Sequence, residues 1–330
     1  MSSVKPLRSR LARQLIRRAG DALALSPAGG KLCVISYHRV LEAQHPLLAS
    51  EPDIATFRWQ MALLADCFTV LPLHAALRAL AAGRMPPRAV CITFDDGYRS
   101  IHDLALPVLR EFGLPATVFV TSGHVDHGNM WNDRIIEALQ ALPSGQLDLR
   151  SLGLGSYPLQ TIDDRKKAVG LLTEGSKYLA PAARSAVIEH LATLAGPRID
   201  SELMLTSEMV RNLDRNGVDI GAHTISHPIL TSLDDDSARA EIVGGKRELE
   251  TILGKPVRLF AYPNGKSGKD FDARHVAMVR EAGFDAAFTT EIGAIGRNSD
   301  RYCLPRSRPW DQTPLMFGLR LLHWLGRKPE

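Results

Sequence analysis

Short apolar runs recur along the chain and alternate with longer segments of helical periodicity. Each run is rich in apolar residues and is bounded by Gly, Pro or Asp, which is typical of buried parallel strands. The runs predicted as strands are Leu32–Tyr37, Val90–Phe94, Ala116–Val120, Val218–Ala222, Val257–Tyr262, Ala286–Thr290 and Cys303–Arg306. Seven strands alternating with helices predict a parallel sheet, either an irregular barrel or an open doubly wound sheet.

Predicted helices fill most of the intervals between these strands. The clearest covers Asp234–Leu253, which begins in an acidic cluster and ends before Gly254 and Pro256, as helix end signals require. The others are predicted at Thr56–Ala65, Ser100–Phe112, Ser207–Asn216 and Asp272–Ala282.

Residues 132–206 break the alternation because they contain no convincing strand. Helical patterns are predicted there at Ile135–Leu142, Asp163–Leu179 and Arg184–Leu194. We interpret this segment as a helical insertion between the third and fourth strands of one large α/β domain, which covers about residues 30–310. The insertion is either a lid over a site or a surface elaboration.

The two ends of the chain are predicted as helices outside this domain. In residues 1–25, Leu7, Leu11, Leu15 and Ala19 recur every four residues, and six basic residues against one acidic residue give a net charge of +5. This basic amphipathic leader either lies on an anionic membrane surface, docks on the body, or is a frayed terminus. Residues 311–330 are predicted to form a C-terminal helix.

Composition narrows the class of protein. With 45% hydrophobic and 23% charged residues among 330, the chain is globular, and disordered, collagen-like and disulfide-scaffold classes are excluded. Beyond the leader the net charge is close to zero, so we expect no nucleic-acid partner. No uncharged apolar stretch approaches 18 residues, and the first residues lack the apolar block of a secretory signal. We therefore expect a cytoplasmic protein, peripheral at the inner membrane surface if the leader binds lipid.

The first candidate for chemistry is Thr93–Gly97, where a predicted buried strand runs into Asp95 and Asp96. In parallel α/β folds, ligands bind beyond the carboxyl ends of strands. Two adjacent carboxylates there repel each other unless a cation or a proton intervenes. The alternative is an ordinary turn with a helix N-cap, where Asp is common.

The second candidate is His223–His227, which directly follows the fourth predicted strand. Histidines at positions i and i+4 share one face of a helical turn, so we expect His223 and His227 to be able to hold one metal. An aspartate with two histidines is a three-ligand catalytic set that leaves a position for water. The same set could hold iron for oxygen chemistry, but a spare neighbouring carboxylate fits hydrolysis better.

A third turn, Ala261–Gly265, also ends a predicted strand. Its Tyr-Pro-Asn-Gly sequence indicates a turn, which is either a plain loop or a wall of the site. In the second case its backbone N–H groups face a developing oxyanion.

Thr93–Gly97, His223–His227 and Ala261–Gly265, in this order, resemble the polysaccharide deacetylases, the family 4 carbohydrate esterases that include chitin and chitooligosaccharide deacetylases. The resemblance extends to Ser36–Val40 and Leu304–Arg306, which are similar to the branch that carries a Tyr-Pro-x-Gly motif. It implies a distorted (β/α) barrel and hydrolytic removal of acetyl groups from an N-acetylated glycan or glycan precursor, with release of acetate, as in exopolysaccharide biosynthesis.

The resemblance also implies residue roles. Asp95 matches the general base, and Asp96, His223 and His227 match the ligands of a divalent metal, which the ligand types suggest is zinc. An oxyanion is implied to receive a backbone N–H from the region of Tyr262, Pro263 and Asn264.

The chain departs from the family pattern in two places. Ala261 stands where the family often has an arginine, and Arg306 is a candidate to orient Asp95 instead. The histidine expected to act as general acid is either His323, which follows Leu321 and Leu322, or His38, which follows the first predicted strand.

Other outcomes stay open from the residues alone. Trp131 could stack on a sugar ring or pack at a helix start, and Trp310 has the same ambiguity. The same site could serve O-deacetylation or hydrolysis of a small amide. The alternative to an enzyme is a glycan-binding protein without catalytic activity, because one fold can serve proteins that lack the chemistry of their relatives.

Overall fold

The computed structural model describes residues 10–24, 30–179, 181–196 and 202–327. The first nine residues and residue 25 of the predicted leader therefore lie outside the described residues, as do the last three residues of the chain. The described chain forms two compact units: residues 44–49 and 126–204 make up the smaller one, and the rest makes up the larger.

The larger unit is built on a parallel sheet of seven strands. These are β1 (Cys33–Tyr37), β2 (Thr69–Val70), β3 (Ala89–Phe94), β4 (Ala116–Val120), β7 (Val218–Ala222), β8 (Leu259–Ala261) and β9 (Ala286–Phe288). Their spatial order is β1-β3-β4-β7-β8-β9, with β2 beside β3. The order follows the chain without the reversal that defines a doubly wound sheet, so the barrel alternative is confirmed and the open sheet is wrong.

Eleven α-helices occur in the described residues. They are α1 (Arg10–Ala24), α2 (Ile54–Cys67), α3 (Leu73–Ala81), α4 (Leu106–Phe112), α5 (Trp131–Ala141), α6 (Ile162–Lys177), α7 (Pro181–Ala195), α8 (Ser207–Arg215), α9 (Asp235–Leu253), α10 (Ala273–Glu281) and α11 (Pro314–Gly326). None of these helices combines the length and the apolar character needed to cross a membrane.

The predicted strand Cys303–Arg306 is wrong, although its residues close the barrel. Leu304 pairs with Phe288 of β9, and Ser307 pairs in parallel with Ile35 of β1. Because each neighbour gains a single paired residue, no regular strand forms. The seventh strand is instead Thr69–Val70, whose two residues are too short to show a pattern in the sequence.

Apolar residues fill the barrel, as expected for strands that are covered on both faces. The buried interior cluster includes Leu32, Val34, Cys91, Phe119, Leu259, Ala261 and Phe288. All six residues of β3 are buried, so the turn that follows this strand is anchored at its base. The four cysteines are free thiols.

The smaller unit has its own core. The predicted helices are present as α5, α6 and α7, and they enclose buried Ile135, Leu139, Leu172 and Leu191. The prediction that residues 132–206 lack strands is wrong, because β5 (Gln146–Asp148) and β6 (Ser156–Pro158) form an antiparallel hairpin. Each strand has only three residues and at most one buried side chain, so the sequence shows no alternation of apolar and polar residues that would predict it.

The two terminal helices α1 and α11 pack against each other within the larger unit. Gly318 permits close contact, since a Cβ there would lie 2.6 Å from Cδ1 of Ile16. On one side of the pair, Arg13 forms an ion pair with Asp66 of α2 at 2.7 Å.

Candidate active site

The Asp95–Asp96 turn begins where β3 ends. The backbone N–H of Asp95 donates to the carbonyl of Tyr37 at 2.9 Å, which continues the pairing of β3 with β1. The chain then turns through left-handed conformations, with φ of 72° at Asp96 and 91° at Gly97. Non-glycine residues seldom adopt such angles, and they concentrate at functional sites. Both aspartates are buried, at 2% and 4% exposure.

His223 and His227 lie in a loop after β7, not on the helical turn that their spacing predicts. Thr224 and His227 both have positive φ, of 66° and 54°. The loop nevertheless brings the two imidazoles together, with ring centroids 4.9 Å apart. The expected convergence is therefore present, but a strained loop produces it.

Asp96, His223 and His227 form the one group of possible metal ligands found among the described residues, with ligand atoms within 4.8 Å of one another. Nε2 of His223 lies 3.6 Å from Oδ1 of Asp96, and Nε2 of His227 lies 3.5 Å from the same oxygen. Nδ1 of His223 is 2.7 Å from the carbonyl oxygen of Ala261. Because a carbonyl only accepts hydrogen bonds, Nδ1 carries the proton and Nε2 presents a lone pair toward Asp96.

The protonation states also fit a metal. Burial lowers the pKa of His223 to about 4. Burial, and then the charge of His223, lowers the pKa of His227 well below its ordinary value. Neutral imidazole is the form that binds a metal, so two neutral imidazoles with one carboxylate make a donor set that suits zinc and similar divalent ions.

Glu241 of α9 holds the histidine loop, and sequence reasoning missed it. Its Oε2 accepts the backbone N–H groups of Ile225 and Ser226, both at 2.8 Å, and its Oε1 accepts the Ser226 hydroxyl at 2.7 Å. A glutamate within an amphipathic helix gives no sequence signal of this role. Gly245 of the same helix lets α9 approach the loop, because a Cβ there would lie 2.7 Å from the carbonyl carbon of Thr224.

Arg306 contacts Asp95 directly, at the position proposed from the sequence. The two groups form a bidentate pair, with Nη1–Oδ1 at 2.6 Å and Nη2–Oδ2 at 2.8 Å. Arg306 is 1% exposed and also donates to the carbonyl of Thr289 and the hydroxyl of Thr93. Burial alone raises the pKa of Asp95, but the charges of Arg306 and His223 outweigh it and bring the pKa to about 2. Asp95 is therefore ionised.

Of the two candidate acids, the structure brings His38 to this site. Its Nδ1 is buried and has no hydrogen-bond partner among the described residues. His38 directly follows Tyr37, which pairs with Phe94, and Phe94 immediately precedes Asp95. Burial and then the charge of Arg308 lower the pKa of His38. His323, in contrast, is exposed on α11, a helix that contacts α1, α2 and β1.

Of Tyr262, Pro263 and Asn264 in the third motif, Asn264 is the one whose backbone N–H is available as a donor. The N–H of Tyr262 already donates to the carbonyl of Phe288 at 3.0 Å, and Pro263 has no N–H. Asn264 has a positive φ of 58°, and its N–H finds no acceptor among the described residues. The Tyr262 ring is fully buried and stacks on Phe271 at 3.8 Å, so it packs the core.

Trp131 belongs to the smaller unit, at the start of α5. The Arg184 guanidinium lies over its ring, 5.0 Å from the centroid. This contact gives Trp131 a packing partner within that unit, and a contact of its ring with sugar stays a prediction.

We expect the protein to bind about one equivalent of a divalent metal at the Asp96–His223–His227 group, and zinc is the ion used to test this. His223→Ala should lower the bound zinc to background, because two remaining ligands hold the ion weakly. His323→Ala should keep full stoichiometry. Elemental analysis after dialysis against chelator and reloading measures both variants, and full occupancy in His223→Ala would contradict the assignment.

Gly245→Ala should destabilise the protein by about 1–3 kcal/mol, because the added methyl group presses on the Thr224 backbone. It should also weaken zinc binding by displacing the histidine loop. Gly170→Ala is the matched control, since Gly170 is exposed on α6 and a Cβ there meets nothing within 4 Å. Thermal denaturation and zinc titration compare the two variants, and equal behaviour would argue against a close contact of α9.

Comparisons with known proteins agree with this fold. Two solved structures share the fold: the Streptococcus pyogenes deacetylase PplD in complex with acetate (TM-score 0.59, 17% identity, 88% of this chain and 98% of that chain) and IcaB from Ammonifex degensii (TM-score 0.57, 19% identity, 91% and 98%). At such identities they show the fold alone, and they confirm the distorted (β/α) barrel.

Several curated relatives are named poly-beta-1,6-N-acetyl-D-glucosamine N-deacetylase, among them one from Staphylococcus aureus and one from Staphylococcus epidermidis. The one from Staphylococcus aureus (strain MRSA252) is 42% identical over 226 residues, which cover 68% of this chain and 55% of the relative. The one from Staphylococcus epidermidis is 26% identical over 194 residues, which cover 56% and 64%. The chain thus spans less than two thirds of either relative.

The family model described as polysaccharide deacetylase matches residues 82–151 and 156–287. These ranges cover more than half of the chain and include the Asp95–Asp96 turn, the histidine loop and the Asn264 turn. The chain belongs to the polysaccharide deacetylase family.

Proposed function

We propose that the protein is a metal-dependent N-deacetylase that hydrolyses the acetamide of an N-acetylated glycan and releases acetate. The observation that carries this proposal is the ionised Asp95, clamped by Arg306 beside the Asp96–His223–His227 group. A base and a metal site side by side are what amide hydrolysis needs. The names of the staphylococcal relatives support a β-1,6-linked N-acetylglucosamine polymer as the substrate to test first.

A divalent metal, zinc on the ligand types, would supply Lewis acidity toward the acetyl carbonyl and lower the pKa of water. Asp95 would accept the proton of the attacking water, since each carboxylate oxygen keeps a second lone pair beside its bond to Arg306. The N–H of Asn264 would donate to the oxyanion. The carbon–nitrogen bond then breaks, and the glycan amine leaves with a proton while acetate is formed.

His38 is the proposed donor of that proton, which it can give only as the imidazolium. Because burial lowers the pKa of His38, it would first take up from Asp95 the proton of the attacking water and then pass it to the leaving amine. His38 follows β1 at the same edge of the sheet as Asp95, and its Nδ1 has no other partner in the described residues. His323 is exposed on a helix that contacts α1, α2 and β1.

Asp95→Asn should lower the rate of acetate release about 10²–10⁴-fold, because the amide cannot accept the proton of water. Asp163→Asn, an identical change at a side chain 74% exposed on α6, should leave the rate unchanged. N-acetylated glycan oligomers and O-acetylated sugars are offered in parallel to metal-loaded protein. Release from the O-acetyl set alone would favour an O-deacetylase, and no release from either would favour a silent binding protein.

His38→Gln should lower kcat about 10²-fold with zinc content unchanged, because the leaving amine loses its proton donor. His323→Gln should behave like the unmodified protein. Acetate release and elemental analysis are measured on both variants. The opposite ranking of the two rates would assign the acid to His323.

We also propose that the pair α1 and α11 rests on an anionic membrane surface. Four large apolar side chains are exposed on these two helices: Leu15, Leu315, Met316 and Leu319. Arg13 of α1 and Phe317 of α11 contact α2. Leu15, Leu315 and Leu319 each lie two residues away from one of these contacts along a helix, so they project away from α2. Exposed apolar residues beside a strongly basic segment are typical of helices that lie in the lipid interface. This contact would place the enzyme at the inner membrane surface.

The double variant Leu15→Glu/Leu319→Glu should lose co-sedimentation with vesicles that contain phosphatidylglycerol, because two carboxylates replace the apolar contacts. Leu171→Glu, at a leucine 61% exposed on α6, is the matched control. Vesicles of phosphatidylcholine alone test the electrostatic part. Equal sedimentation of the double variant and the control would refute lipid contact at this face.

A further inference from the structure

The segment after Arg306 leaves the barrel next to His38. Ser307 pairs in parallel with Ile35. Trp310 and His38 each lie three residues after this pair, on neighbouring segments that run in the same direction. Arg308 follows Ser307 directly, so this segment runs beside the end of β1 at the rim of the proposed active site.

Arg308 is held in place by a largely buried ion pair. Its Nη2 lies 2.5 Å from Oε1 of Glu51, whose side chain is only 10% exposed. The same Nη2 also reaches the carbonyl of Ser50 at 3.4 Å. A guanidinium held in this way is more ordered than an arginine on an open surface, where such pairs contribute little.

This fixed guanidinium supports the indole of Trp310. The Arg308 Cζ lies 5.2 Å from the ring centroid, within the range of a cation–π contact. Trp310 is nevertheless 56% exposed, whereas Trp59 and Trp324 are buried at 7% and 4%. One face of the indole is braced, and much of the ring stays in contact with water.

An exposed and immobilised indole beside an active site is suited to bind the apolar face of a ligand. Pyranose rings present flat arrays of C–H groups, and an aromatic ring offers matching apolar area with little loss of side-chain freedom. A glycan substrate extends beyond the residue that reacts, so its next sugar must rest on some part of the rim.

We propose that Trp310, braced by the Arg308–Glu51 pair, is a stacking subsite for a sugar residue next to the one that loses its acetyl group. This inference rests on the proposed function. Its consequence is a preference for oligomers over single sugars, because stacking contributes to binding of the chain and leaves the chemical step unchanged.

The test compares steady-state kinetics on a β-1,6-linked N-acetylglucosamine pentamer and on a single N-acetylglucosamine glycoside. Trp310→Ala should raise KM for the pentamer about 5–10-fold at nearly constant kcat, which corresponds to an aromatic contact of about 1 kcal/mol. KM for the monosaccharide should not change, and Trp310→Phe should recover most of the pentamer affinity. Tyr178→Ala, at an aromatic residue 39% exposed in the smaller unit, is the matched control.

Zinc content and melting temperature verify that each variant is folded. An unchanged KM for the pentamer in Trp310→Ala, or an equal rise for both substrates, would overturn the subsite while leaving the deacetylase proposal intact. Absence of turnover by the unmodified protein would count against the deacetylase itself. In that event, equilibrium binding of the pentamer to the zinc-loaded protein decides the subsite: weaker binding by Trp310→Ala supports it, and equal binding overturns it.

Discussion

The buried ion pair between Arg306 and Asp95 both stabilises the closure of the barrel and positions the proposed catalytic base. Two charges removed from water are stable only when they meet in good geometry, and the effective penalty is several kcal/mol for each ion left alone. Arg306 lies in the segment that links β9 to β1 by one paired residue on each side. The ion pair therefore strengthens a closure of the barrel that few backbone hydrogen bonds stabilise. The closing segment in turn positions the Arg306 guanidinium against Asp95.

Backbone strain is concentrated at the same edge of the sheet. Asp96, Thr224, His227 and Asn264 all have left-handed φ values, and all belong to the three turns that build the site. Each left-handed residue costs of order 1–3 kcal/mol of conformational free energy, so surrounding contacts must hold it in that conformation. Glu241 does this for the histidine loop, through two backbone N–H groups and one hydroxyl. The site is thus held by groups that take no part in the reaction.

Sequence reasoning predicted which residues converge better than it predicted the local structure around them. Asp95, Asp96, His223 and His227 converge because the carboxyl ends of parallel strands share one edge, a rule of topology that short apolar runs reveal. The helical turn expected for the two histidines is wrong, since i and i+4 spacing does not exclude a loop with left-handed residues. Glu241 could not be found, because its partners are backbone amides that any sequence provides.

The grip of Glu241 on the histidine loop has a consequence for how the site would take up an ion. Its three hydrogen bonds shape the loop without help from a ligand, and the Ala261 carbonyl already fixes the His223 tautomer. Preorganisation of this kind removes most of the ordering entropy that an incoming ion would otherwise have to offset. Loss of the ion should then leave a folded protein ready to be reloaded, unlike small zinc domains that unfold when the metal leaves.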